Sequence, residues 1–129
     1  MKVRVAEIDG PALDWIVAVI QGHAPEIRDN GLGYMVIAGG TDGAYSSNWE
    51  VAGPIIESQR INLRAIRHGR WRAFMQPERR DEHSHQEADS PLVAAMRCHV
   101  HSWLGDEVDI PDELVPGFVA PSALRRMKP

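Results

Sequence analysis

The apolar positions change period along the chain, and each change marks an element. Residues 1–8 alternate, with Val3, Val5 and Ile8 against Lys2, Arg4 and Glu7, which predicts a short strand. Asp9-Gly10-Pro11 then opens a helix. Asp9 or Gly10 is its cap, and Pro11 sits at the first position, where a missing amide hydrogen costs nothing. Leu13, Trp15, Ile16, Val17, Val19 and Ile20 are apolar around most of the circumference, so this helix is expected to be largely buried. Residues 23–33 read as a loop and Tyr34–Ala38 as a buried strand. After the glycine-rich residues 39–43, Ser47-Asn48-Trp49-Glu50 fits a capping box with Ser47 as the cap and Glu50 reaching back. That helix is expected to kink or restart at Gly53-Pro54, because proline lacks the amide hydrogen and crowds the preceding turn, and to end near Gln59.

Residues 61–67 and 70–75 alternate on either side of His68-Gly69, which predicts a hairpin with glycine supplying positive φ. Trp71, Ala73 and Met75 share one of its faces; Arg70, Arg72 and Phe74 share the other. Residues 76–90 are polar and read as a solvated loop. Ser90-Pro91 starts a helix with Leu92, Val93, Met96, Val100, Trp103 and Leu104 at three- and four-residue spacing, and Gly105 ends it. Residues 106–111 are extended and acidic. The fold class is therefore α+β, a layered α-β-α sandwich with a small mixed or antiparallel sheet built on Tyr34–Ala38 and the 61–75 hairpin. Residues 1–112 form a single domain and residues 113–129 an extended C-terminal arm.

Composition narrows the function classes. A chain of 129 residues supports one core. A net charge of −4 does not advertise a nucleic-acid or anionic-membrane partner. Cys98 is the sole cysteine, which excludes an internal disulfide framework and a multi-cysteine zinc site within one chain. No run approaches the roughly 18 apolar residues of a membrane span, and the N-terminus lacks the apolar region of a signal peptide, so the expected location is the cytoplasm.

Three segments carry a family resemblance: residues 10–18, residues 45–49 with Gly53-Pro54-Ile55-Ile56, and residues 90–98 with residues 104–108. Together they resemble the NinX-like phage and prophage proteins, a family of unknown function, and the related phage ABA sandwich domain. The resemblance spans roughly residues 3 to 112. It implies an accessory phage protein made in an infected bacterium, with an α-β-α layered fold. It carries over no catalytic residue.

The candidate ligand-binding surface is the loop and helix start at Tyr45, Ser46, Ser47, Trp49 and Glu50, joined by Asp14 and Arg97. Amides at a helix N-terminus with two hydroxyls make an anion seat, although no Gly-Lys-Ser/Thr is present for a Walker loop. Tyr45, Trp49 and Trp71 could stack on a planar ligand, while Trp15 and Trp103 are core candidates. Arg97, on an otherwise apolar helix, needs a carboxylate such as Asp14 or Glu50, solvent, or an anion. His83/His85 and His99/His101 do not have the four-residue spacing of a helical zinc pair, so no metal and no cofactor is expected. Cys98, helical and buried, reads as a small apolar residue.

The expected function is binding, to a host or phage protein or to a small anionic ligand. One alternative is a small enzyme acting on a nucleotide or phosphoester, with Glu50, Asp14 or His99 as the general base. Another is a nucleic-acid-binding module on the arginine-rich 60–80 hairpin, through Arg64, Arg70 and Arg72. The apolar residues of the arm would allow a homo-oligomer.

Overall fold

Ser90 and Pro91 begin the helix on which most elements of the described fold pack. The computed structural model describes residues 1–29, 31–75 and 85–115. In chain order its elements are β1 (Lys2–Arg4), α1 (Gly10–Ile20), β2 (Glu26–Asp29), β3 (Tyr34–Ala38), β4 (Thr41–Asp42), α2 (Trp49–Gln59), β5 (Asn62–Ala65), β6 (Trp71–Phe74), β7 (Gln86–Ala88), α3 (Pro91–Leu104) and β8 (Glu107–Asp109). Single 3-10 turns cover Val5–Glu7 and Asp112–Leu114. The α+β class expected from the alternating periods is observed.

α3 is capped by Ser90, whose Oγ accepts from the Val93 amide at 3.4 Å, with Pro91 in the first turn. Every residue from Ala94 to Val100 is buried. A helix buried all round must be covered on every side. α1 and α2 pack on it, the β5-β6-β7 sheet covers another flank, and the Val5–Glu7 turn lies against it. Ala94 and Ala95, both 0% exposed, let neighbouring backbones approach closely. α1 contributes Ala12, Leu13, Ile16, Val17 and Ala18 to the same core, as its apolar circumference predicted.

The strands do not form the single sheet expected around Tyr34–Ala38 and the hairpin. They divide into three antiparallel sheets, ordered β1-β8, β2-β3-β4 and β5-β6-β7. β2 lies in the segment expected to be a loop. It is an edge strand with one partly buried apolar residue, Ile27, so its side chains carry almost no periodic signal. Its backbone pairing with β3, from Glu26 with Ile37 to Asp29 with Tyr34, defines it. β7, at the end of the expected polar loop, is likewise defined by pairing with β6. β1 and β8 join the two ends of the described chain, and Leu114 is buried beside them. The remainder of the 113–129 arm, from Pro116, lies outside the described residues.

The hairpin turn forms where expected. His68 and Gly69 both have positive φ, 59° and 74°, and the Arg70 amide donates to the Arg67 carbonyl at 3.2 Å. Ala73 is fully buried while Trp71 and Met75 pack against the core, so the face these three share is the inner one. α2 differs from expectation in two ways. Its cap is Asn48, not Ser47: the Asn48 side chain accepts from the Glu50 amide at 2.9 Å. The amides of Ser47 and Asn48 both turn back to the Ala44 carbonyl, at 3.1 and 2.8 Å, which delays the helix start by one residue. The helix also runs unbroken through Pro54, which is exposed, so the carbonyl that loses its intrahelical partner one turn back can be hydrated. It ends at Gln59 as expected, with Arg60 left-handed at φ 53°.

Arg97 is the one charged residue in the buried stretch of α3, and the fold satisfies it with backbone carbonyls. Its Nε donates to the Ile8 carbonyl at 2.7 Å and its Nη1 to the Glu87 carbonyl at 2.8 Å. It thereby ties the approach to α1 and strand β7 to the central helix. Arg97→Ala should lower unfolding stability by about 3 kcal/mol, because the buried Ile8 carbonyl and the part-buried Glu87 carbonyl lose charge-assisted donors. A lower urea midpoint at unchanged slope would report it. Gly69→Ala should cost about 1 kcal/mol, since alanine must adopt the positive φ of the turn.

Candidate functional site

The loop from Gly43 to Asn48 is placed by contacts with β3 and α1. Gly43 packs so closely that a side chain there would meet the Val36 carbonyl at 3.1 Å and Ala38 Cβ at 3.2 Å. Its amide donates to the Val36 carbonyl at 2.9 Å. The loop therefore lies flat on β3 and brings Tyr45 and Ser46 inward, each 7% exposed. There they meet Asp14, the buried carboxylate of α1. The Ser46 amide donates to Asp14 Oδ1 at 2.7 Å, and the Ser46 hydroxyl also hydrogen-bonds to the carboxylate.

Burial pushes the Asp14 carboxyl up to about 6 from 3.8, and the charge of Asp42 adds to that shift. The Ser46 bonds act in the opposite direction but do not cancel desolvation. The Tyr45 hydroxyl is also raised, by burial first and by the neighbouring Asp14 charge second. Tyr45, Ser46 and Asp14 thus form one buried cluster. The remaining predicted residues of the segment lie outside it: Ser47 and Glu50 are exposed, and Trp49 is 54% exposed. The aromatic wall is not assembled, because Tyr45 and Trp71 join the core while Trp49 points to solvent.

Arg97 does not join this cluster. Its guanidinium is engaged by the Ile8 and Glu87 carbonyls, and neither Asp14 nor Glu50 is its partner. The expected anion seat is therefore occupied from within: the Ser46 amide serves Asp14, and the Glu50 amide serves Asn48. The general-base candidates are likewise dispersed. His99 is 1% exposed and contacts Gln21 at the far end of α1, its Nε2 lying 2.9 Å from the Gln21 amide nitrogen. With that amide donating, the His99 proton sits on Nδ1, which is buried without a hydrogen-bond partner among the described residues. Burial holds His99 down at about 4 and pushes the Cys98 thiol up to about 12.

The family to which these segments point matches directly. The family described as "Bacteriophage P22, NinX" covers residues 4–102. The chain belongs to the NinX family. No curated relative matches it. The NinX match includes Asp14, the Tyr45–Glu50 segment, the arginine hairpin and Arg97, and it stops within α3. Membership supports a phage accessory protein and names no ligand. No helix among the described residues is long and apolar enough to cross a membrane.

The other expectations around this NinX core have mixed outcomes. Trp103, expected inside, is 59% exposed and donates from Nε1 to Gln59 Oε1 at 3.4 Å. It occupies the last turn of α3, beyond the stretch that neighbouring elements cover. His101 is paired with Asp106 at 2.7 Å. His83, Arg79 and Arg80 lie outside the described residues. What the residue pattern could not show is the Asp14–Ser46 bond. Asp14 one turn into an apolar helix was the available signal, but its partner is 32 residues away.

The two shifted groups make opposite contributions to stability. A proton binds Asp14 more tightly in the folded protein, so its contribution is complete below 3.8 and is lost as pH rises through about 6. His99 is the reverse: its contribution is complete above 6.5 and is lost as pH falls toward about 4. Each is worth about 3 kcal/mol at full extent, so the two largely mask each other in the wild-type profile. Asp14→Asn should unmask the histidine. The variant is expected to match wild type near about pH 4 and to exceed it by up to about 3 kcal/mol near about pH 8, read from urea midpoints at each pH.

Proposed function

We propose that this NinX-family chain is a protein-binding accessory factor that acts in the cytoplasm of the infected bacterium, with the start of α2 as its contact surface. The observation that carries the reading is Trp49, an indole left 54% exposed on a helix start that is held in place. Asn48 caps the helix and the Asp14–Ser46 bond anchors the loop before it. An exposed tryptophan on a pre-organised support is the kind of side chain that dominates protein interfaces, because it buries a large area at little ordering cost. Ser47 and Glu50, exposed beside it, supply polar groups for the rim of such a contact.

A small anionic ligand at the same place has less support. The amide it would use is bonded to Asp14, Asp42 adds negative charge nearby, and Arg97 is committed elsewhere. A phosphoester-cleaving enzyme needs a base beside Ser46. Asp14 is the group there, and it is enclosed with Tyr45 and Ser46 in the core.

A photo-crosslinking amino acid placed at Trp49, in chain produced in infected cells, tests the proposal. A discrete adduct with one heavier species is expected from position 49, and none from Glu57, an exposed site two turns further along α2. Equal labelling from both positions, an adduct of twice the chain's own mass, or a small molecule retained by the purified protein would contradict it.

A further inference from the structure

The outer face of the β5-β6-β7 sheet sets two arginines directly opposite one another. Arg64 on β5 pairs with Arg72 on β6, and Arg72 pairs with Glu87 on β7. Like charges at paired positions repel. Glu87 lies 3.6 Å from the Arg72 guanidinium, and one carboxylate cannot offset two arginines. Arg67, from the hairpin turn, lines the same concavity of about 680 Å³. Among the described residues neither Arg64 nor Arg67 has an ion-pair partner, and the buried Nε of Arg72 has no hydrogen-bond acceptor. Arg70 differs, since Asp89 holds it at 2.8 Å. Among the described residues, three guanidiniums thus converge against one carboxylate at this concavity, in a chain of net charge −4.

The neighbouring position on this face is aromatic. Phe74 follows Arg72 by two residues on β6, about 7 Å along the strand. It meets His85 edge-on, with ring centroids 5.7 Å apart and planes at 60°. Asn62 lies opposite Phe74 on β5. The inner face of the same strands, with Leu63, Trp71 and Ala73, is packed into the core. Core packing therefore accounts for the inner residues and does not account for the outer row.

We propose that this face binds single-stranded nucleic acid, with a phosphodiester in the Arg64–Arg67–Arg72 concavity and an unstacked base against Phe74 and His85. Guanidiniums present planar paired donors that match phosphate oxygens. A base can reach a ring on a sheet surface only when it is released from a duplex, which is why the combination selects single strands. The surface uses none of the residues at the start of α2, so it stands or falls independently of the protein contact proposed there.

Fluorescence anisotropy with a labelled oligothymidylate of about 20 nucleotides tests it on the full chain. Binding is expected to weaken about 20-fold between about 50 and about 200 mM salt, the dependence set by three phosphate contacts on a single strand. Arg64→Glu with Arg72→Glu should abolish it. Arg64→Gln with Arg67→Gln, two exposed positions remote from the core, should weaken it at least tenfold and guards against misfolding of the first pair. Phe74→Ala should weaken it about tenfold while leaving the salt dependence unchanged. Arg28→Glu, an exposed arginine paired with Glu26 on another sheet, should have no effect. The proposal is overturned by absence of binding at about 50 mM salt, by equal affinity for a duplex together with indifference to Phe74→Ala, or by equally effective competition from polyglutamate.

Discussion

The burial of residues 94–100 of α3 on every side is the constraint from which the rest of the structure follows. A helix with no solvent face must be covered by several elements, and a charge within it must be answered by whatever those elements present. Here the charge is Arg97, and the answer is two backbone carbonyls, from Ile8 and Glu87. Those bonds fix where the chain enters α1 and where β7 lies, so one side chain helps to locate elements on two flanks of the helix. The same commitment removes Arg97 from the start of α2. That segment must then be understood without a cation.

Without the cation, the loop before α2 is held by a carboxylate. Asp14 accepts from the Ser46 amide and hydroxyl in a site from which water is largely excluded, and desolvation outweighs those bonds in setting its proton affinity. The group that could have been provided by an external anion is provided by α1. This internal satisfaction leaves a capped helix start with an exposed Trp49, the feature on which the proposed protein contact rests. The arginine row on β5 and β6 is the converse case, a surface whose charges the described fold leaves unanswered.

How much of this was legible depended on how far apart the interacting residues lie. α1, α3 and the His68-Gly69 turn were readable because their signals are local: helical spacing, a serine–proline start, and a dipeptide that tolerates positive φ. β2 and β7 were not. They are short edge strands with polar side chains, and they exist because a neighbouring strand supplies hydrogen bonds. The α2 cap was misplaced by one residue because Ser47 and Asn48 are both good caps, and the turn onto Ala44 selects between them. Arg97 was visible as a charge needing a partner, but carbonyls carry no residue identity, so the partner could not be read. The Asp14–Ser46 pair was split between two segments that only the packed fold unites.

Nuclear magnetic resonance of the Asp14 carboxyl carbon and the Ser46 amide, followed together through a pH titration with and without phosphate, tests the central claim most directly. The account predicts a shared midpoint near about 6, with the Ser46 resonance indifferent to added phosphate. A carboxyl midpoint near 3.8, with a Ser46 amide that shifts on phosphate addition, would contradict it.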